Sequence, residues 1–234
     1  PYLLAIADAY ERGSYGVATD LLARREELIG ELEGSTQRAR LQNSIWQMRL
    51  QRDVDDVRDM ADKLRELAEE AERNGWSADA VECRCHQADL LYPVSDAEEC
   101  LQVLEHALAD ADDEEDLAKT QLQRAFYLGD LGRLDEGLDA TRQARRVFRQ
   151  AGNRPYEGKA EVIQGLLLAH ADRRDEARAT LQRVVDVHRR LGIRRTESRA
   201  QNALGELEAK AGNYEAALEH YQRELELARM CREY

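Results

Sequence analysis

A small or compact residue returns at a fixed distance along this chain. Ala18, Val57, Ala97, Gly137, Ala177 and Ala217 are separated by 39, 40, 40, 40 and 40 residues. A period of that length is one supersecondary unit, which cannot bury its apolar face alone and must stack on its neighbours. The last unit shows what is repeated. Ala203-Leu204-Gly205 lies in one helical run and Ala216-Ala217-Leu218 with Tyr221 in a second, joined by a turn at Gly212-Asn213-Tyr214. Gly205 and Ala217 allow the two helices to approach closely, and Leu204, Tyr214 and Tyr221 are expected to fill the space around that contact. One step back, the same places hold Gly165, Asp172, Arg174, Ala177 and Leu181, and before them Ala125, Gly132, Leu134, Gly137 and Thr141. Earlier units keep Cys85, Val94, Ala97 and Leu101, then Ile45, Val54, Val57 and Ala61, then Gly13, Tyr15, Ala18 and Leu22.

With small residues at the eighth and twentieth places of the unit, and an aromatic or leucine four residues after the second, the chain resembles the tetratricopeptide repeat family over essentially its whole length. Ile45 and Val57 replace the small residues in the second unit, and Gln201 stands where the family tryptophan is expected in the last. The resemblance implies an all-α fold, a right-handed α–α superhelix of about six helical hairpins. The repeats fall near 1–34, 35–75, 76–113, 114–153, 154–193 and 194–234, in one continuous domain over 1–234. The period is longer than the common family repeat, so the helices are expected to be longer. In this it is similar to the variant found beside catalytic or output domains in bacterial signalling proteins.

Punctuation supports the hairpins. Gly34, Gly75, Gly152 and Gly192, with Asp112 in the matching place, fall between them, Pro155 is placed to begin a helix, and Ser95 with Glu98 forms a capping box. No apolar run is long enough to span a bilayer and no signal-peptide pattern appears, so a cytoplasmic location away from membranes is expected. The chain opens at Pro1 without a polar capping element and stops straight after the last helix, which predicts a segment of a larger protein or ends covered by another subunit. Stability should add between neighbours, so that a frayed first unit leaves the others standing.

Charge is polarised. Residues 1–117 carry 12 Lys and Arg against 29 Asp and Glu, whereas residues 118–234 carry 22 against 18. The acidic half repels nucleic acid and the later arginines are interleaved with acids, so no nucleic-acid role is expected. The run from Asp110 to Asp116 lacks the glycine and ligand spacing of a calcium loop and suits helix capping. Cys83 and His86 are three apart, with no second pair at ligand spacing, and Cys85, Cys100 and Cys231 read as small apolar residues. The segment Gly152 to Ala160 departs from a phosphate-binding loop in spacing and lacks its hydroxyl. No catalytic constellation, metal or cofactor is implied, and the chain is expected not to be an enzyme.

A partner surface is sought on the first helix of each hairpin, which lines the concave groove in the family. Stepping by the repeat gives a mostly apolar column of Ala7, Trp46, His86, Phe126, Leu166 and Glu206. A second column reads Gln42, Glu82, Leu122, Val162 and Asn202, and a third Ala39, Asp79, Lys119, Lys159 and Arg199. An apolar floor of Leu122, Phe126, Val162 and Leu166 beside a basic rail of Lys119, Lys159 and Arg199, kept open by Gly129, Ala169 and Ala209, suits an acidic, amphipathic peptide. The same columns equally suit packing between neighbouring helices. The carboxylate clamp of chaperone-binding family members finds only Lys119 in place. Two functions follow: a regulatory module that binds a protein or peptide in the groove, or an assembly module that dimerises or scaffolds other subunits.

Overall fold

A computed structural model describes residues 2–31, 36–51 and 56–232. Gly34, Val54 and the side chain of Cys231 lie outside the described residues. Among the described residues there are twelve α-helices and no strand. They pair as α1 (Tyr2–Glu11) with α2 (Tyr15–Glu31), α3 (Gln37–Leu50) with α4 (Val57–Arg73), and α5 (Ser77–Leu91) with α6 (Ala97–Asp110). The series continues with α7 (Glu114–Asp130) and α8 (Leu134–Gln150), α9 (Arg154–His170) and α10 (Arg174–Leu191), and α11 (Arg194–Lys210) and α12 (Tyr214–Arg232). Each helix packs on the next, and α5, α7, α9 and α11 also stack on one another, which makes an all-α solenoid.

In the last three hairpins the turn is tight because one residue goes left-handed. Gly132, Asp172 and Gly212 occupy equivalent places with φ of 72°, 58° and 83°. Asp172 is the one non-glycine, a residue type whose short polar side chain tolerates this region. Helix starts are capped by side chains: Asp113 accepts the backbone N–H groups of Glu115 and Asp116, both at 2.8 Å, and Asn153 precedes Pro155 at the start of α9. The cap of α6 is Asp96, which accepts from Glu99 N–H at 2.9 Å. It sits one residue beyond the expected Ser95–Glu98 box, because an ionised carboxylate is a stronger acceptor than a hydroxyl.

Close approach of paired helices is where the small residues put it. A Cβ on Gly205 would sit 2.5 Å from the Tyr221 ring, and one on Gly165 would sit 2.7 Å from Leu181. The core is a ribbon between helix layers, with Leu64, Leu104, Phe148, Leu181 and Leu204 almost wholly buried. Tyr214 departs from expectation: it is 73 % exposed, since no helix among the described residues packs over that face of α12. The corresponding Leu134 leans on the core around Leu122 and Phe148.

Second-half arginines are spent holding hairpins together. Glu161, almost fully buried, accepts from Arg145 at 2.5 Å and Arg183 at 3.3 Å, and Glu197 from Arg189 at 2.9 Å and Arg223 at 3.3 Å.

The solenoid also closes on itself. The Arg195 guanidinium lies 4.4 Å from the Tyr10 ring centre and 3.3 Å from Glu11, and Arg194 donates to the Arg12 carbonyl at 3.3 Å. In the same region α12 touches α2. This seam's two polar contacts join residues 182 and 184 positions apart in sequence and set the acidic half of the chain against the basic half. The expectation of purely neighbour-to-neighbour stability is therefore corrected: α1 is held from both sides.

Candidate functional site: a central channel

Closure converts the concave side into a channel lined mainly by α1, α3, α5, α7, α9 and α11. Two lobes can be distinguished. The first, of about 780 Å³, lies toward the C-terminal halves of α5 and α7 and along α9 and α11, and the second, of about 720 Å³, toward the N-terminal halves of α5, α7 and α9. Glu11, Arg49, Asp89, Gln123, Tyr156 and Lys159 line both. The lobes therefore meet at a waist built from these residues. Either lobe is of the size that holds a drug-sized or short peptide ligand.

The sequence-derived candidates distribute unevenly over this channel. Phe126 and Leu166 line the first lobe, where Phe126 meets Tyr92 edge-on with ring centres 5.2 Å apart. Val162 shows the same lobe a small face, being only 5 % exposed. Leu122 has no exposed surface and packs in the core with Ala125 and Phe148, so it supplies no groove floor. Trp46 lines the second lobe, with Tyr10 edge-on at 5.6 Å and the Arg49 guanidinium 5.3 Å from its ring centre. Gly129 lines the first lobe, while Ala169 packs on the core.

His86 lines the first lobe too, and its Nδ1 is buried without a hydrogen-bond partner. Burial, followed by the nearby Arg49 charge, pushes its pKa down to about 4, so the ring is neutral at pH 7.

The basic rail divides. Lys119 is paired with Asp116 at 2.7 Å; burial works against its charge, but Asp116 outweighs that and its pKa is raised. Lys159 and Arg199 have no hydrogen-bonded or ion-paired partner among the described residues. Burial lowers the Lys159 pKa, with Arg199 and Arg195 adding to the effect against Asp89; that of Arg199 is lowered first by Arg195 and then by burial. Arg49 behaves oppositely. Burial disfavours its charge, yet Glu82 at 2.6 Å raises its pKa.

Arg49, Asp89, Tyr156 and Arg195 were not singled out from the sequence. Arg49 and Asp89 belong to the repeat column of Gly129, Ala169 and Ala209, so following that column two units upstream would have found them. Arg195 and Tyr10 meet only through closure.

Among the described residues, no group of three or more His, Cys, Asp and Glu is placed to hold a metal ion. No helix among them is long and apolar enough to cross a membrane.

Stacked helical hairpins with glycines at close crossings such as Gly165 and Gly205 are the architecture of tetratricopeptide repeats. Residues 156–230 match a tetratricopeptide repeat model, and the hairpins before them repeat the same helical architecture.

Solved structures of similar fold include a Rap protein complexed with competence and sporulation factor (TM-score 0.65, 16 % identity, 99 % of this chain and 66 % of that one). Another is PlcR of Bacillus thuringiensis in complex with the peptide PapR7 and DNA (0.56, 15 %, 87 % and 83 %). A third is aspartyl phosphate phosphatase F of Bacillus subtilis (0.54, 12 %, 99 % and 64 %). The chain thus spans just under two thirds of the length of the Rap protein and of the phosphatase. At these identities the likeness is one of fold. No curated protein matches the sequence.

Proposed function

We propose that the chain is a regulatory interaction module that takes an acidic, amphipathic peptide into its central channel. The observation that carries this reading is the closed channel itself, with an aromatic and aliphatic first lobe around Phe126 and Leu166 adjoining cations that lack partners. Apolar anchors supply affinity and charges set orientation. The peptide complexes of the Rap protein and of PlcR support a peptide as the occupant, and the incomplete coverage of the Rap protein supports a place within a longer bacterial signalling protein in the cytoplasm. Binding a peptide rather than nucleic acid agrees with the net charge of −13. The test is selection of a displayed peptide library on the immobilised chain, followed by titration of the winners against wild type, Phe126→Ala and Leu166→Ala. Loss of about tenfold or more in affinity in both variants is expected; unchanged affinity would remove the channel from the account.

A second reading, self-assembly, is favoured by one feature. Tyr214, Leu218 and Leu225 are 73 %, 56 % and 48 % exposed along one face of α12. On that reading Leu225→Asp abolishes a dimer seen by sedimentation. Leu227 is 1 % exposed and belongs to the core, so it is not a probe of assembly.

A further inference from the structure

The column Ala39, Asp79, Lys119, Lys159 and Arg199 runs across five successive first helices, and its charges are not treated alike. Asp79 is paired with Arg38 at 2.6 Å and Lys119 with Asp116 at 2.7 Å. Lys159, at the waist, has only the face of Tyr156, with its Nζ 5.8 Å from the ring centre. Arg199, on the adjacent helix α11, has no acid bound to it. Arg195, one turn earlier on α11, is already committed to Tyr10 and Glu11.

The acid shared by this region, Asp89, accepts from Gln123 at 2.7 Å, and the same Gln123 nitrogen donates to the Cys85 carbonyl at 2.6 Å. Two cations face a partly desolvated channel beside a third and repel one another; Asp89 acts on both and Glu11 on Arg199 through space, but no carboxylate among the described residues pairs directly with either. Such an arrangement costs stability, and an incoming anion relieves the cost.

The immediate surroundings define what the anion must be attached to. The first lobe continues from these cations to Phe126, Leu166 and Val162, and His86 offers an unsatisfied ring nitrogen there.

We infer that Lys159 and Arg199 together form an anion anchor that seats a carboxylate of the bound peptide at the channel waist, with a bulky apolar side chain next to it in the Phe126–Leu166 lobe. This rests on the peptide reading above and goes further by fixing which cations recognise the ligand and which part of it they hold. Lys119 is excluded from the anchor because Asp116 already occupies it. The carboxylate is supplied either by an acidic side chain or by the peptide's own C terminus.

The test uses the whole chain and a synthetic hexapeptide library in four forms: with or without Asp and Glu, each with a free or an amidated C terminus. Wild type is expected to retain peptides bearing a carboxylate, with Phe, Tyr, Trp or Leu beside it. Retention of amidated, acid-containing peptides identifies the side chain as the source, and retention of acid-free peptides with a free end identifies the terminus. Lys159→Gln combined with Arg199→Gln should weaken these peptides by about tenfold or more, and Lys159→Arg should keep most of the affinity. The double variant should also melt no lower than wild type, since it removes repulsion. A clear drop would mean that these cations serve the fold.

Equal retention of carboxylate-free peptides, or unaltered affinity in the double variant, would overturn the anchor while leaving peptide binding standing. Should no peptide be retained, the peptide reading fails, and N-acetylphenylalanine against its amide decides the anchor on wild-type protein alone. Shifts of the Lys159 and Arg199 side-chain resonances with the acid only would uphold it; the same response to both compounds, or to neither, would end it.

Discussion

Glu197 offers the sharpest test of how the hairpins are held together. Its side chain is 4 % exposed and accepts from Arg189 at 2.9 Å and Arg223 at 3.3 Å, which are themselves 50 % and 31 % exposed. It also sits in the first turn of α11, where the helix dipole favours negative charge. Glu197→Gln keeps the shape and removes the charge. The two charge-assisted hydrogen bonds, one of them long, are together worth about 1.5 kcal/mol after allowing for arginines that regain water, and the helix position adds about 0.5 kcal/mol, giving a loss of about 2 kcal/mol. In a chain of this size that lowers Tm by about 4–8 °C. Thermal and urea unfolding followed by circular dichroism would measure it, with Arg189→Gln and the double variant completing a cycle across the two hairpins. The singles should couple, because each leaves the other's partner behind. A Glu197→Gln protein melting within about 1 °C of wild type, or a cycle with no coupling, would refute the claim that buried cross-helix pairs fasten the fifth hairpin to the sixth.

Three further outcomes are expected. With its pKa depressed to about 4 from 6.5, His86 binds fewer protons folded than unfolded between those values. Stability should therefore fall as pH drops from about 6.5 to about 4, by at most about 3 kcal/mol, and level off below; urea midpoints across pH check this, and His86→Gln should flatten the slope. Arg195→Ala breaks the seam's cation–π contact and its mostly buried ion pair with Glu11, worth about 1–2 kcal/mol together. Amide exchange should quicken by about tenfold in α1 and stay unchanged in α8, as read by mass spectrometry. Gly205→Val drives a branched side chain into the Tyr221 ring and should cost about 1–3 kcal/mol, measurable as a lowered urea midpoint.

The hairpins were legible because the 40-residue register is carried by sterically constrained positions. Gly165 and Gly205 have little room for a Cβ, and sequence reports such constraints directly. The inward column of Trp46, His86, Phe126 and Leu166 was legible for the same reason, since residues one repeat apart share a face. Leu122 was not, because a column says which side of a helix faces inward and not how deeply a neighbouring helix covers it. The pairing of Lys119 with Asp116 is an i, i+3 contact on one helix and was open to inspection. Closure was beyond reach: it depends on a small rotation at every hairpin, and no local pattern encodes their sum. Arg195 and Tyr10 carry no mark of each other in the sequence.

That summation gives the seam a use as a gauge. In a curved stack, a slight change of tilt at any one junction displaces the far end by an amount that grows with its distance, so the α1–α11 contact registers the pitch of all the hairpins between. A needle is already fitted to the dial. Trp46 lies edge-on to Tyr10, the residue on which Arg195 rests, so its emission is placed to follow any widening or tightening of the coil from within the unlabelled protein.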